Sequence, residues 1–390
     1  MEKKLLFDLQ VTQPQRKARF HGAGKYGIAI FKRLMQMAPD KLAVYYDENA
    51  YLDEDAVELI KKNNNTIYKS GKISVFDAAR REGGVLYVPM IGAHIYPYPP
   101  KDIQFITTQH DLRHFILKRD LYYPVMDDRK FAFLRFFAYK VKDALLGYYQ
   151  RKKIFSRIEN FLNRDNVHFV TVSEYSKKCF LKNCPNIQSG KVKVCWAPST
   201  IDTALNIDEL KNEYGKYWLL VGVNRYEKNG ARAIKTFDKI FSEYPEISGR
   251  VIVTGLARWN QIRMNVKNKN RFSLLGYVDE RKLKALYHFA YAFVYPTLSE
   301  GFGYPPVEAM HEGCPVITSA VASVPEVCGQ SVIYFNPYSI NDMKKKILMM
   351  ENAMVRQEYA KKSKMQYNTI RSRQDDDLTL FCNYILAFLE

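Results

Sequence analysis

Short runs of β-branched and aromatic residues alternate with segments of helical period along nearly all of the chain. Leu5–Val11 reads as a strand, then a glycine-containing loop at Gly22-Ala23-Gly24, then a helix over Tyr26–Met37. Strand-like runs follow at Leu42–Tyr46, Val85–Val88, Gln104–Thr108, His168–Val172 and Val192–Trp196, with the longest helical stretch near Arg129–Leu162. After a turn near Pro198 the alternation restarts. Strands are expected at Trp218–Val223, Val251–Thr254, Phe272–Leu275, Ala292–Tyr295, Val316–Thr318 and Val332–Phe335, and helices at Ala231–Phe241, Glu280–Phe289, Pro306–Glu312 and Met343–Met350. Strand–helix alternation implies parallel sheets covered by helices. Two such series imply two doubly wound α/β domains, 1–197 and 198–371, with a cleft between them. A last helix over 372–390 is expected to pack back on the first.

The chain has 390 residues, ample for a buried core, and 47% hydrophobic with 26% charged residues is ordinary globular composition. Its net charge of +18 is uneven: residues 1–200 hold 34 basic and 20 acidic side chains, and residues 201–390 hold 25 and 21. Cys179, Cys184, Cys195, Cys314, Cys328 and Cys382 form no C-x-x-C pair and have no histidine at zinc-ligand spacing, so reduced, mostly buried thiols are expected. No stretch reads as a signal peptide or as a membrane span of about 18 apolar residues.

In open parallel sheets ligands bind beyond the carboxyl ends of strands, so the residues just after each strand carry the chemistry. After the strand ending near Tyr295 comes Ser299-Glu300-Gly301-Phe302-Gly303-Tyr304-Pro305-Pro306-Val307-Glu308. Its glycines allow close backbone approach, and its prolines suit a first helical turn, where Glu308 is expected. Such a loop is either a capped helix or a site offering N–H groups to a phosphate and carboxylates to hydroxyls. Arg225 and Lys228, three apart after Trp218–Val223, suit a diphosphate clamp or a basic surface turn. His110, followed by Asp111 at a strand end, is a hydrogen-bonded structural residue or a substrate contact. Gly22 and Gly24 suit a phosphate loop or plain turn chemistry. Ser173-Glu174-Tyr175-Ser176 admits a helix N-cap by Ser173. Asp53-Glu54-Asp55 has the spelling of a metal-binding Asp-x-Asp, but it precedes the helical run Ala56–Lys62 and reads as a helix start.

The run Tyr295–Asn336 resembles the donor-binding signature of glycosyltransferase family 4, retaining enzymes of the GT-B fold, whose hallmark is a pair of glutamates at the spacing of Glu300 and Glu308. The resemblance implies an α/β, GT-B architecture of two Rossmann-like domains facing a central cleft. By it, Glu300 contacts the donor sugar, Glu308 the nucleotide ribose, and Gly301, Phe302, Gly303 and Tyr304 the sugar and diphosphate. Gly222 through Asn229 resembles the family's Arg…Lys-Asn motif, so Arg225 and Lys228 would neutralise the leaving nucleoside diphosphate. His110 would reach the sugar from the first domain, and Gly22 and Gly24 would form the phosphate or acceptor loop, although Ala23 splits the usual adjacent pair. Tyr277 and Val278 match the segment that reads the nucleobase through main-chain groups. The implied activity is retaining transfer of a hexosyl group from a GDP- or UDP-sugar to a saccharide or lipid-linked saccharide, with no metal and no other cofactor, in cell-surface polysaccharide or lipopolysaccharide synthesis. A GT-B-like epimerase or phosphorylase and a noncatalytic basic membrane-surface protein are the alternatives.

Arg113–Arg157 holds twelve basic and four acidic residues among many aromatics. A basic helix with an aromatic face reads as a membrane-surface element or as a core-facing helix with a solvated outer side. With a nucleotide-sugar site beside it, the expected partner is an anionic membrane rather than nucleic acid. The expected location is the inner face of the plasma membrane, peripherally attached from the cytoplasm.

Overall fold

The computed structural model describes residues 2–14, 22–91, 96–127, 129–201, 207 and 210–390. Strand segments such as Val85–Val88 and Val316–Ser319 are buried at every position, which is the signature of a parallel sheet covered on both faces. Seven strands build the first sheet: β1 (Leu5–Asp8), β2 (Leu42–Tyr46), β3 (Thr66–Lys69), β4 (Val85–Val88), β5 (Gln104–Gln109), β6 (Val167–Thr171) and β7 (Val192–Val194). Their order is β3-β2-β1-β4-β5-β6-β7, all parallel. The second sheet has β8 (Tyr217–Leu220), β9 (Arg250–Thr254), β10 (Phe272–Gly276), β11 (Ala292–Tyr295), β12 (Val316–Ser319) and β13 (Ile333–Phe335), in the order β10-β9-β8-β11-β12-β13. Strand order reverses between β1 and β4 and again between β8 and β11. Those switch points are where an open α/β sheet offers a ligand crevice.

The chain forms two compact units. One comprises residues 1–112, 150–200 and 371–390, and the other residues 113–149 and 201–370. This differs from the division at 197, because 113–149 groups with the second unit. The reason is polar anchoring: Arg232 pairs with Asp120 at 2.5 Å. Arg263 donates to the carbonyls of Val125, Asp127 and Arg129, each at 2.9 Å. In the first unit, residues 371–390 are tied by Gln374 to the Ala197 carbonyl at 2.6 Å, and by Asp377, which accepts from the Trp196 N–H at 2.7 Å. The core of that unit is built on edge-to-face rings, Phe7 with Phe31 and Tyr87. Trp218, Phe237 and Phe241 centre the other.

Several boundaries shift from expectation. The helix expected at Tyr26 begins at Gly22 and runs to Met37, so Gly22 and Gly24 occupy its first turn rather than a loop; His21 lies outside the described residues. The long helix runs Ala132–Leu162, preceded by Phe131 in the left-handed region. The helix after β11 is Tyr304–His311, capped by left-handed Gly303. Glu308 therefore sits in its second turn, and the first-turn dipole argument for it falls. Strand β3, at a sheet edge with three half-buried residues and an exposed Ile67, was not expected. Asp53 accepts from the Ala56 N–H and starts the helix Glu54–Lys62, and Ser173 accepts from the Ser176 N–H and starts the helix Glu174–Asn183. The six cysteines are free thiols; four are buried, and Cys179 and Cys195 are half-buried.

Candidate active site

The switch point of the second sheet is built from the loops after β8 and β11. After β8 the chain turns through Gly222, with φ of +67°, whose N–H donates to Thr254 Oγ1 at 3.1 Å. Asn229 is left-handed and starts the helix Gly230–Glu243. A Cβ on Gly230 would lie 2.2 Å from the Val223 Cβ, so only glycine lets this helix approach the strand end. Asn229 Nδ2 donates to the carbonyls of Pro296 and Pro337 at 2.9 and 2.8 Å, fastening this turn to the loops after β11 and β13. The loop after β11 is fastened in turn. Leu298 N–H donates to the Glu227 carbonyl at 2.7 Å. The Ser323 hydroxyl lies 3.1 and 2.9 Å from the carbonyls of Glu300 and Phe302.

Between these loops lies a buried charge cluster. Glu300 Oε1 accepts from Lys228 Nζ at 2.7 Å, the Tyr295 hydroxyl at 2.5 Å and Thr297 Oγ1 at 2.9 Å. Its Oε2 faces the Arg113 guanidinium at 3.8 Å. Glu300 is 6% exposed and Lys228 5%. Burial alone would raise the Glu300 carboxyl, but the charges of Lys228 and Arg113 and the bonds from Lys228 and Tyr295 override it and hold the group at about 2. The Lys228 ammonium is lowered, first by burial and then by Arg225 and Arg113, against the pull of Glu300. Glu300 is therefore a fixed anion with every oxygen engaged.

The resemblance paired Arg225 with Lys228 as a diphosphate clamp. The structure gives them different settings. Lys228 is spent on Glu300 and Tyr295, whereas the Arg225 side chain is 49% exposed and, among the described residues, pairs with the Glu227 carboxylate at 3.5 Å. Glu308 is half-buried and accepts from the Tyr287 hydroxyl at 3.1 Å. Gly301, Phe302 and Gly303 are buried, Tyr304 and Val278 are half-buried, and Tyr277 is exposed at the end of β10. Arg113, Tyr295 and Thr297 were missed as site residues. Arg113 stands three positions after His110, a signal available in the sequence but read only as part of a basic segment.

In the first unit, the half-buried His110 ring packs edge-on against Tyr26 with centroids 4.5 Å apart, and its carbonyl accepts from Ser176 Oγ at 2.8 Å. Gly24 is buried and Gly22 exposed in the same helix as Tyr26. Sequence reasoning also missed Asp8, which ends β1 at the switch point of this sheet. It accepts from the Gln10 N–H at 3.0 Å and from the Tyr96 hydroxyl at 2.8 Å. Burial pushes its carboxyl up to about 6 despite those bonds. Among the described residues no three His, Cys, Asp or Glu side chains converge as metal ligands would.

Residues 203–368 match the model of the family described as glycosyl transferases group 1. That segment is similar to the group 1 glycosyltransferases. The O-antigen chain mannosyltransferase RfbU of Salmonella typhimurium is 33% identical over 174 residues, which is 44% of this chain and 47% of that protein. The O-antigen chain mannosyltransferase B of Escherichia coli is 32% identical over 141 residues, 34% of this chain and 36% of that protein. The chain thus spans less than half the length of these two relatives. Anabaena Alr3699/HepE, solved in complex with UDP-glucose, aligns with a TM-score of 0.61 at 14% identity over 99% of both chains. At that identity the likeness concerns the fold, which is GT-B.

Proposed function

We propose that the chain moves a hexosyl group from a GDP- or UDP-sugar to a saccharide or lipid-linked saccharide acceptor, with retention at the anomeric carbon, in cell-surface polysaccharide or lipopolysaccharide assembly. The observation that carries this is the charge cluster at the β8/β11 switch point. Arg113 and Lys228 hold the Glu300 carboxylate there, and the half-exposed Arg225, paired with Glu227, adds a third cation on the same turn as Lys228, beside the loop that leads into the helix Tyr304–His311. That arrangement favours a departing diphosphate. Arg225 supplies the outward charge, and Lys228 holds Glu300 in place toward the sugar. Glu308 is assigned to the ribose, and Tyr277 and Val278 to the base. His110 is assigned to the sugar, and Gly22 and Gly24, in the first turn of the helix Gly22–Met37, to the donor phosphate or the acceptor. No carboxylate is assigned as a covalent nucleophile, so the leaving phosphate takes the acceptor proton on the same face. Two relatives are named mannosyltransferases, which makes mannose the first hexose to try.

The test is release of nucleoside diphosphate from a panel of UDP- and GDP-sugars, including UDP-glucose and GDP-mannose, with and without EDTA. One or more donors is expected to be hydrolysed slowly in water, at a rate unchanged by EDTA because the outward Arg225 guanidinium serves in place of a metal. No binding or turnover of any donor would favour the noncatalytic membrane-surface alternative, and activity restored by manganese after chelation would reject metal independence.

The same reading includes peripheral attachment to an anionic membrane, on the inner face of the plasma membrane. No described helix is long and apolar enough to cross a membrane. Leu134, Phe137, Val141, Leu145 and Tyr148 recur every three or four residues on one exposed helical face. Lys140, Lys142, Arg151, Lys152 and Lys153 lie along the same helix. Anionic lipid contributes about 1 kcal/mol per basic residue at the surface. Reversing these five charges to Glu is expected to release the protein from phosphatidylglycerol vesicles in sedimentation assays, with nucleotide affinity unchanged. Salt should release the wild type too, since exposed charges are screened beyond about 10 Å at 0.1 M. Wild type that stays in the supernatant at low salt would make the segment an ordinary solvated face.

A further inference from the structure

We propose that a cavity at the start of the long helix holds the diphosphate or phosphate head of a lipid-linked substrate, with its apolar chain laid along the exposed helical stripe; this rests on the lipid-linked acceptor reading above. The cavity measures about 280 Å³. Small-molecule sites run to about 300–1,000 Å³, so it suits a head group and not an oligosaccharide. Arg119, Arg129 and Arg135 line it together with Asp127. Arg129 grips Asp127 through two bonds of 2.7 Å, and that contact is the chief cause holding the Asp127 carboxyl at about 2. One positive charge is thereby cancelled. Arg135 also acts on Asp127, but only as the weakest of its charge partners, so three guanidinium groups against one carboxylate leave an excess of positive charge for an anion.

The site is built rather than incidental. The Arg119 guanidinium lies over the rings of Tyr123 and Tyr139, at 4.2 and 4.4 Å from their centroids, which fixes its planar fork without using its N–H groups. The loop at Val125–Arg129 is held by the three bonds from Arg263. On the long helix, Arg135 and Tyr139 are four apart and share a face toward the cavity. Leu134, Phe137 and Val141, one step around the helix, are exposed. A cationic cavity that opens beside an exposed apolar stripe matches an amphiphile with a compact anionic head. A soluble phosphate would leave the stripe unused, and a bulk anionic membrane needs no cavity.

Calorimetry with farnesyl diphosphate and with inorganic pyrophosphate tests this on the full chain. Farnesyl diphosphate is expected to bind at least about tenfold tighter than pyrophosphate. Arg119→Gln and Arg135→Gln should each weaken it about tenfold or more, the scale of one charge-assisted hydrogen bond. Arg135 is exposed, so its replacement tests the site without disturbing packing. Affinity for free UDP or GDP should change less than twofold, and sedimentation with phosphatidylglycerol vesicles should fall by no more than the about fivefold that losing one surface charge costs. Equal affinity for farnesyl diphosphate and pyrophosphate would make this a soluble-anion site and overturn the proposal. So would an Arg135→Gln variant that binds farnesyl diphosphate normally, or one that loses vesicle binding in the same proportion. Failure of the wild type to bind UDP or GDP would instead count against the transferase reading, since that arm does not involve this cavity.

Discussion

Glu300→Gln is expected to lower sugar transfer by about 10²–10³-fold, the scale of losing one preorganised electrostatic group, while free nucleoside diphosphate still binds. The carboxylate faces Lys228 and Arg113, and Gln removes its charge while keeping its shape. Lys228, which is buried and bonds to Glu300 at 2.7 Å, then loses its carboxylate partner. Breaking a buried ion pair costs about 3–5 kcal/mol, and at 6% exposure solvent screening gives little relief. A lower urea midpoint should therefore accompany the lost activity. The pH dependence has a definite sign. The folded carboxyl lies at about 2, below its ordinary 4.5, so its stabilisation is present above about 4.5 and is lost as pH falls toward 2. Wild type should lose more stability than Glu300→Gln between pH 7 and pH 3. Transfer by the variant within a factor of two of wild type would remove Glu300 from the site.

Arg225→Ala should reduce turnover by a similar factor, about 10²–10³, with an unchanged unfolding midpoint. The side chain is half-exposed and, among the described residues, pairs with Glu227 at 3.5 Å, so nothing in the fold depends on it. Its charge matters most as the diphosphate departs, which places the loss in kcat more than in KM. Lys228→Ala should differ by combining inactivity with instability, because Lys228 is the buried partner of Glu300. Comparing the two variants separates a charge that serves the leaving group from one that serves the architecture. Near-normal turnover in Arg225→Ala would end the leaving-group assignment.

The sheets were legible because parallel strands are apolar along their whole length: Val85–Val88 and Ala292–Tyr295 stand where the pattern puts them. Strand β3 was hidden because Thr66–Lys69 is a half-exposed edge with little apolar run. Helix starts were misplaced where glycine was read as loop, at Gly22, and where proline was taken to open the helix after β11, which Tyr304 opens instead. Motif spacing located Glu300 and Lys228 but gave no hint that they bond to one another, since 72 positions separate them. The roles of Tyr295 and Thr297 were equally invisible, because both read as ordinary strand-end residues. Asp8 shows the opposite lesson: an acidic residue closing an otherwise apolar strand was a visible sign of a buried carboxyl.

The interrupted first unit has a bearing on how the protein is made. Its sheet is completed by residues 371–390, through Gln374 on Ala197 and Asp377 on Trp196 just after β7, and through Phe381 against Tyr87 of β4 with centroids 5.6 Å apart. A ribosome adding about 5–20 residues per second delivers that last piece on the order of ten to forty seconds after Thr200. During this interval the nascent sheet carries an uncovered apolar patch around Tyr87 and Trp196, while the segment that becomes the other unit is still being made. Trigger-factor-like holding chaperones would find their substrate in that window, and chains cut short before residue 371 should aggregate even though both sheets are encoded in full.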